Sequence, residues 1–429
     1  MKVSEWSLMT ALWLVAPNGA HAQRLRPFLD AASTHAIDVR EAEALADQAR
    51  GSVDESRARL LPSFTASGAY QRNEYEVVVS IPTGTGTTND ATFTPYDQLS
   101  ATFTLNVPIV DLSAWVSFSA SERSADAADA RVESASFDAF ISTATAYYQL
   151  VAAHAVLASS ARALGAAEEN LRYVQARVGP GLASELDEAR ATADVARAAQ
   201  TVAEAELQVT LGTRNLFVLT GIEAEASDAT LERGGPLDGE GEVSAWVAHL
   251  DRTPAVHAAR LDREAAERLR DAAWFALAPT LSGAASERLT NASGFSPQAQ
   301  WALSITLSFT LDFSAPAVIA TRDGAVATAT VREERAAMLA ETQVREAFFR
   351  VRSLLARVEA ARAGTSASER GVQVAHARFD AGTGTALDIS NAERDLFAAE
   401  VAEIQAEADL LLQRDLLRLR TGVELGARP

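Results

Sequence analysis

The chain has 429 residues, 48% hydrophobic and 22% charged, a composition that folds into ordered structure. Its formal net charge of −19 leaves no basic footprint for phosphate, which excludes nucleic acid as a partner and suits instead a polar lumen that favours cations. There is no cysteine, which excludes disulfides, thiolate metal sites and a lipid-modified cysteine; the six histidines form no i, i+3 or i, i+4 pair that would suggest a metal.

Residues 1–22 read as a signal peptide: Trp6 to Ala16 is a short apolar core, and Ala20-His21-Ala22 is an A-x-A cleavage site before Gln23. Residues 23–221 form a first repeat, with a helix near 38–60, strands near 63–72 and 97–108, and a helical hairpin over 114–221. An acidic, glycine-rich connector follows over 222–244, containing Gly234-Gly235-Pro236. Residues 245–422 form the second repeat: a helix near 246–276, strands near 279–288 and 300–313, and a helical hairpin over 317–421. A short tail, 423–429, ends the chain.

The two halves hold one register. Tyr147-Tyr148 recurs as Phe348-Phe349, Ala176-Arg177 as Ala377-Arg378, Gly181 as Gly382, Leu186-Asp187 as Leu387-Asp388 and Thr220-Gly221 as Thr421-Gly422, all at one constant spacing. Upstream, Leu61-Pro62-Ser63-Phe64 resembles Ala278-Pro279-Thr280-Leu281 at a larger spacing, because the segment between the first two strands is longer in the first half.

The strands alternate with period two. Leu99, Ala101, Phe103, Leu105 and Val107 point one way while Ser100, Thr102, Thr104 and Asn106 point the other. Trp301, Leu303, Ile305, Leu307, Phe309, Leu311 and Phe313 repeat this against Ser304, Thr306, Ser308, Thr310 and Asp312. Strands near 63–72 and 279–288 are weaker, with small residues on both faces. No continuous apolar run reaches the roughly 18 residues of a spanning helix, so a membrane must be crossed with strands. Apolar-out, polar-in alternation is the outer-membrane barrel pattern, with Phe103, Leu105, Leu303, Ile305, Leu307 and Phe309 facing lipid. Two hairpins leave open edges, so several chains must share one barrel.

Residues 114–178 and 317–379 contain no proline, and helices of that length, on the order of 95 Å, must pack along their length as coiled coils. Where they end, Gly181 and Gly382 suit the positive φ of a helix stop. Ser184-x-x-Asp187 and Thr385-x-x-Asp388 read as capping boxes that start the returning helices.

The run Ala377-Arg378-Phe379-Asp380-Ala381-Gly382-Thr383-Gly384-Thr385-Ala386-Leu387-Asp388-Ile389, with its looser copy from Ala176-Arg177 through Gly181 to Leu186-Asp187, resembles the hairpin turns of the TolC-like outer-membrane efflux protein family. The resemblance covers essentially the whole mature chain. It implies an α+β fold of two tandem repeats, assembled as a homotrimer into a 12-stranded β-barrel continued by an α-helical periplasmic tunnel. It implies a passive exit duct of tripartite efflux or type I secretion, embedded in outer-membrane lipid, partnered by a periplasmic adaptor and energised by an inner-membrane transporter, with no cofactor and no enzymatic activity. It makes Asp388 and Asp187 candidates for an acidic ring at the periplasmic entrance, and Arg177, Gly181, Ser184, Arg378, Phe379, Gly382 and Thr385 candidates for the turn and its adaptor contact. Some members tie the entrance shut with a tyrosine and an arginine; those positions carry Phe379 and Gly384 here. The alternative is a soluble periplasmic coiled-coil adaptor or scaffold, a class that lacks amphipathic strand hairpins. Against an enzyme, there is no Ser/His/Asp arrangement, phosphate loop or metal cluster.

Overall fold

A computed structural model describes residues 20–82, 88–180, 183–225, 231, 238, 240–248, 253–292 and 294–421. Residues 1–19 of the expected signal segment, Gly181, much of the expected connector and the 423–429 tail lie outside the described residues. The chain is mostly helical. It runs α1 (Ala20–His35), α2 (Ile37–Ala58), β1 (Ser63–Arg72), β2 (Val77–Pro82), β3 (Thr88–Thr94), β4 (Asp97–Val110), α3 (Leu112–Val178) and α4 (Glu185–Thr220). It continues through α5 (Val243–Val247), α6 (Pro254–Phe275), β5 (Thr280–Thr290), β6 (Ala299–Ser308), α7 (Ala315–Asp380) and α8 (Ala386–Thr421). Two compact units result, one from the described residues of 1–43, 130–257 and 335–429, the other from those of 44–129 and 258–334.

The second unit holds a four-stranded antiparallel sheet in the order β1-β4-β5-β6. Cross-strand partners in such a sheet share a face, so the registers sort the side chains into two surfaces. One carries Phe64, Leu105, Ala285 and Leu303 in a single row, with Gly283–Ile305 and Leu281–Leu307 beside it. The other carries Ser63, Asn106, Ala284 and Ser304, then Thr65, Thr104, Ser286 and Ala302. Pro108 lacks an N–H, and the β4–β5 ladder shifts register between Pro108 and Val110, leaving Ile109 as the extra residue of a bulge.

Two local differences from the sequence reading have plain causes. β6 ends at Ser308 and not near 313, because its last rung is Ser308 against Thr280, the first residue of β5. Phe309, Leu311 and Phe313 continue beyond it, exposed. A second sheet, the hairpin β2–β3, arises within the segment expected as a loop, where the β-branched run Val77-Val78-Val79 pairs with residues 91–94. It is joined to the β5–β6 loop by the Gly294 N–H donating to the Thr92 carbonyl at 2.9 Å and by an edge-to-face Phe93–Phe295 contact.

The first unit is helical. α3 and α7 run 67 and 66 residues, and α4 and α8 run 36 each. Within α3 an 18-residue window reaches a mean hydropathy of 1.4, long and apolar enough to cross a membrane by length and composition only, although polar residues interrupt it so that no continuous apolar run of that length occurs. Its apolar side chains meet other helices. Tyr147, Tyr148, Leu150 and Val151 join Leu25, Phe28 and Leu29 of α1, Leu216 of α4, and Leu416 and Leu419 of α8 in one core. The corresponding aromatic of α7, Phe348, sits in a second core with Trp246, Val351, Leu410 and Leu417. The first core contains a buried polar contact: the Tyr148 hydroxyl donates to Asp415 Oδ2 at 2.5 Å, and Arg418 Nη1 lies 3.5 Å from Asp415 Oδ1. Burial, then the Asp415 carboxylate, hold the Tyr148 phenol well above its ordinary titration range.

Candidate functional site

The turn between α7 and α8 is built by its backbone. The Arg378 carbonyl accepts the N–H groups of both Thr383 and Gly384 at 2.9 Å, and Gly382 takes φ 73°, the left-handed region that a side chain disfavours. A Cβ at Gly384 would lie 3.0 Å from Arg378 Cβ and 3.1 Å from the Phe379 nitrogen, so an arginine there would force the turn open by a few tenths of an ångström. The glycine is part of how this turn closes.

α8 begins with a reciprocal cap. Thr385 N–H and Oγ1 both bond Asp388 Oδ2 at 2.8 Å, while the Asp388 N–H donates back to Thr385 Oγ1 at 3.3 Å. These bonds, the backbone N–H first and then the hydroxyl, hold the Asp388 carboxyl below its ordinary range. α4 begins in the same way. Ser184, with φ −92° and ψ 157°, bonds Asp187 Oδ2 through its hydroxyl at 2.7 Å and its N–H at 3.1 Å, and the Asp187 N–H returns to Ser184 Oγ at 3.2 Å. The Asp187 carboxyl is likewise lowered, by the hydroxyl first and then the backbone.

The ends of α3 and α7 touch. Arg177 places its guanidinium 4.5 Å over the Tyr173 ring and 4.7 Å over the Phe379 ring, and the two rings lie 5.3 Å apart. The Tyr173 hydroxyl donates to Asp380 Oδ1 at 2.9 Å. Phe379 is buried on its other side against Ala375 and Ile389. The structure thus brings Arg177 and Phe379 together; Tyr173 and Asp380 complete the contact and were missed by the sequence reading. The available signal was spacing, since Tyr173 stands four residues before Arg177 on one helix face.

Behind this contact lies a cleft of about 510 Å³ whose lining includes Arg162, Glu169, Tyr173, His376, Glu393 and Glu400. His376 Nε2 is 3.6 Å from a Glu393 oxygen, and Arg162 pairs with Glu400 at 2.8 Å. Burial pushes the Glu393 carboxyl up; the neighbouring carboxylates Asp194 and Glu169 add to this and His376 opposes it. Among the described residues no group of three or more His, Asp or Glu side chains is arranged to hold a metal ion.

The sheet is the second candidate site. Phe103, Leu105, Leu303, Ile305 and Leu307 fall on one face, and Phe309 follows the end of β6. That face is open: Trp301 is 77% exposed, Leu303 75% and Phe64 67%. Glu287 interrupts it, opposite Phe103 and Trp301. Exposed apolar surface of this extent marks an interface with lipid or protein.

The profile of the family described as outer membrane efflux protein matches residues 28–222 and 247–423. The chain belongs to that family. The outer membrane efflux protein has the fold of solved channels at low sequence identity. It is similar to a membrane protein of Pseudomonas aeruginosa at 19% identity, TM-score 0.77, covering 98% of this chain and 97% of that one. It is similar to the CmeC outer membrane channel of Campylobacter jejuni at 17% identity, TM-score 0.79, covering 100% and 94%. It is similar to the outer membrane protein VceC of Vibrio cholerae at 18% identity, TM-score 0.75, covering 96% and 100%. No curated protein matches it by sequence.

Proposed function

We propose that three copies of this outer membrane efflux protein join edge to edge into one 12-stranded barrel, and that their helices form a periplasmic tunnel. The resulting duct passively conducts solutes delivered by an inner-membrane transporter through a periplasmic adaptor. The observation that carries this reading is the two-faced sheet whose outer strands, β1 and β6, each have one edge unpaired among the described residues. An apolar face of Phe, Trp, Leu and Ile backs onto rows of Ser, Thr, Asn and Ala. In lipid every strand edge needs a partner, so β1 of one copy and β6 of the next must pair. A soluble scaffold would leave Trp301, Leu303, Ile305 and Leu307 in water.

In this reading a signal peptide, 1–22, precedes two repeats, 23–221 and 245–422, joined by the 222–244 connector and followed by the 423–429 tail. Phe103, Leu105, Leu303, Ile305, Leu307 and Phe309 face lipid. Asp388 and Asp187 contribute three-fold rings of negative charge to the periplasmic entrance, and Arg177, Gly181, Ser184, Arg378, Phe379, Gly382 and Thr385 form the tips on which the adaptor seats. Reconstitution decides it. Detergent-extracted protein is expected to run as a trimer that dissociates on heating and to conduct ions in planar bilayers. A monomer that stays in solution without detergent and does not conduct would end the proposal.

A further inference from the structure

The polar face of the sheet is almost free of charge. Across β1, β4, β5 and β6 it presents serine, threonine, alanine, asparagine, glutamine and Pro108, and its one charged residue is Arg288 of β5. Its register partners are Thr102 on β4 and Gln300 on β6, and Ser67 completes the row on β1. Arg288 is exposed, and among the described residues no carboxylate pairs with it. It stands two residues before the end of β5 at Thr290, on the side of the sheet where β5 turns to β6 and not where β4 and β6 run into long helices.

We propose that Arg288 sets the charge selectivity of the barrel exit: three copies form a cationic ring that attracts anionic solutes and opposes cationic ones, including those approaching from outside. This rests on the reading of the polar face as the lumen of a trimeric barrel. Twelve strands spaced ~4.8 Å and tilted ~40° enclose a backbone radius of about 12 Å, and an arginine side chain reaches roughly halfway to the axis. At about 0.1 M salt the screening length is ~10 Å, so every ion crossing that ring feels all three charges. The other groups on the face are neutral hydroxyls, amides and methyls, so nothing on the wall offsets the ring.

The absence of native cysteine makes the test direct. Ala302→Cys puts a thiol on the polar face one row from Arg288, and Leu303→Cys puts one on the apolar face. The reaction rates of each with a sulfonate-bearing and a trimethylammonium-bearing methanethiosulfonate reagent are measured on heat-dissociable trimers in liposomes. Ala302→Cys should react with both reagents and, relative to a free thiol in solution, favour the anionic one. Arg288→Gln should lower that preference on the order of fivefold, Arg288→Glu should lower it further, and Arg288→Lys should keep it. Raising salt to ~1 M should shrink all of these differences. If Ala302→Cys reacts and the ratio is the same in all four backgrounds, the charge inference fails while the barrel stands. If Leu303→Cys reacts and Ala302→Cys does not, the faces are reversed, and the barrel reading falls together with this one.

Discussion

A charge placed on each face of β6 in turn tests the sheet assignment. Leu303 is the fifth of the ten residues of β6 and lies in the row Phe64–Leu105–Ala285–Leu303. Ser304, its neighbour, lies opposite Ala284 and in the row that continues to Asn106 and Ser63. Leu303→Arg puts a guanidinium against the bilayer near its middle, which costs about 2–4 kcal/mol per copy. A trimer bears that three times, roughly 6–12 kcal/mol, the same order as the stability of an ordinary domain, about 5–15 kcal/mol. Ser304→Arg adds a charge that stays hydrated among small neighbours, and three such charges in water repel one another by about 1 kcal/mol or less per pair. The assay is the yield of heat-dissociable trimer in outer-membrane extracts at matched expression. Leu303→Arg should lose nearly all of it and Ser304→Arg little. Equal yields, or the reverse order, would refute the assignment of faces.

Asp388→Asn separates the cap from the ring: loss of cation preference in bilayers supports the ring, whereas faster hydrogen exchange at the start of α8 with unchanged selectivity leaves Asp388 as a cap only. Because the caps hold Asp187 and Asp388 below their unfolded values, their stabilisation is full above the ordinary carboxylate range near pH 4 and is lost as pH falls through the lowered values. Protection factors at residues 385–389, in which the intrinsic pH dependence of amide exchange is divided out, should therefore fall only below about pH 4, and Asp388→Asn should abolish that fall. Tyr148→Phe removes the hydroxyl that serves the buried Asp415 carboxylate, which should cost about 1.5–3 kcal/mol and lower the melting temperature, measured on trimers, without changing conductance.

The regular elements were legible because each is governed by a local rule. Alternation over 99–107 and 301–307 places those side chains on the faces the registers give, since period two is a property of a single strand. The long helices α3 and α7 were legible from alanine-rich sequence uninterrupted by proline over 114–178 and 317–379, whereas α1, with Pro27 inside it, was not. The end of β6 was not, because Phe309, Leu311 and Phe313 keep the alternation while β5 begins only at Thr280; a strand ends where its partner ends. Nor was the β2–β3 hairpin, whose valines run consecutively and lack the period that would have marked them. α6 begins at Pro254 rather than near 246, since proline presets the first turn of a helix and cannot sit comfortably inside one.

The turns divide along the same line. Ser184, Asp187, Thr385 and Asp388 were found because a capping box is complete within four residues, and both form the reciprocal bonds expected of it. Spacing pairs Tyr173 with Arg177, but their contact with Phe379 and Asp380 was out of reach, as it joins residues about 200 positions apart that only the packing of α3 against α7 brings together. It also changes the meaning of Phe379. Read as a phenylalanine where some members of the family carry a tyrosine, it suggested an entrance without that polar tie. In the structure the hydroxyl is supplied from α3, by Tyr173, and its acceptor Asp380 is the residue next to Phe379. An arginine is supplied from α3 as well, its guanidinium lying over both rings. The contact between α3 and α7 thus holds a tyrosine and an arginine of its own, Tyr173 and Arg177, and Gly384 is the glycine that its crowded backbone requires.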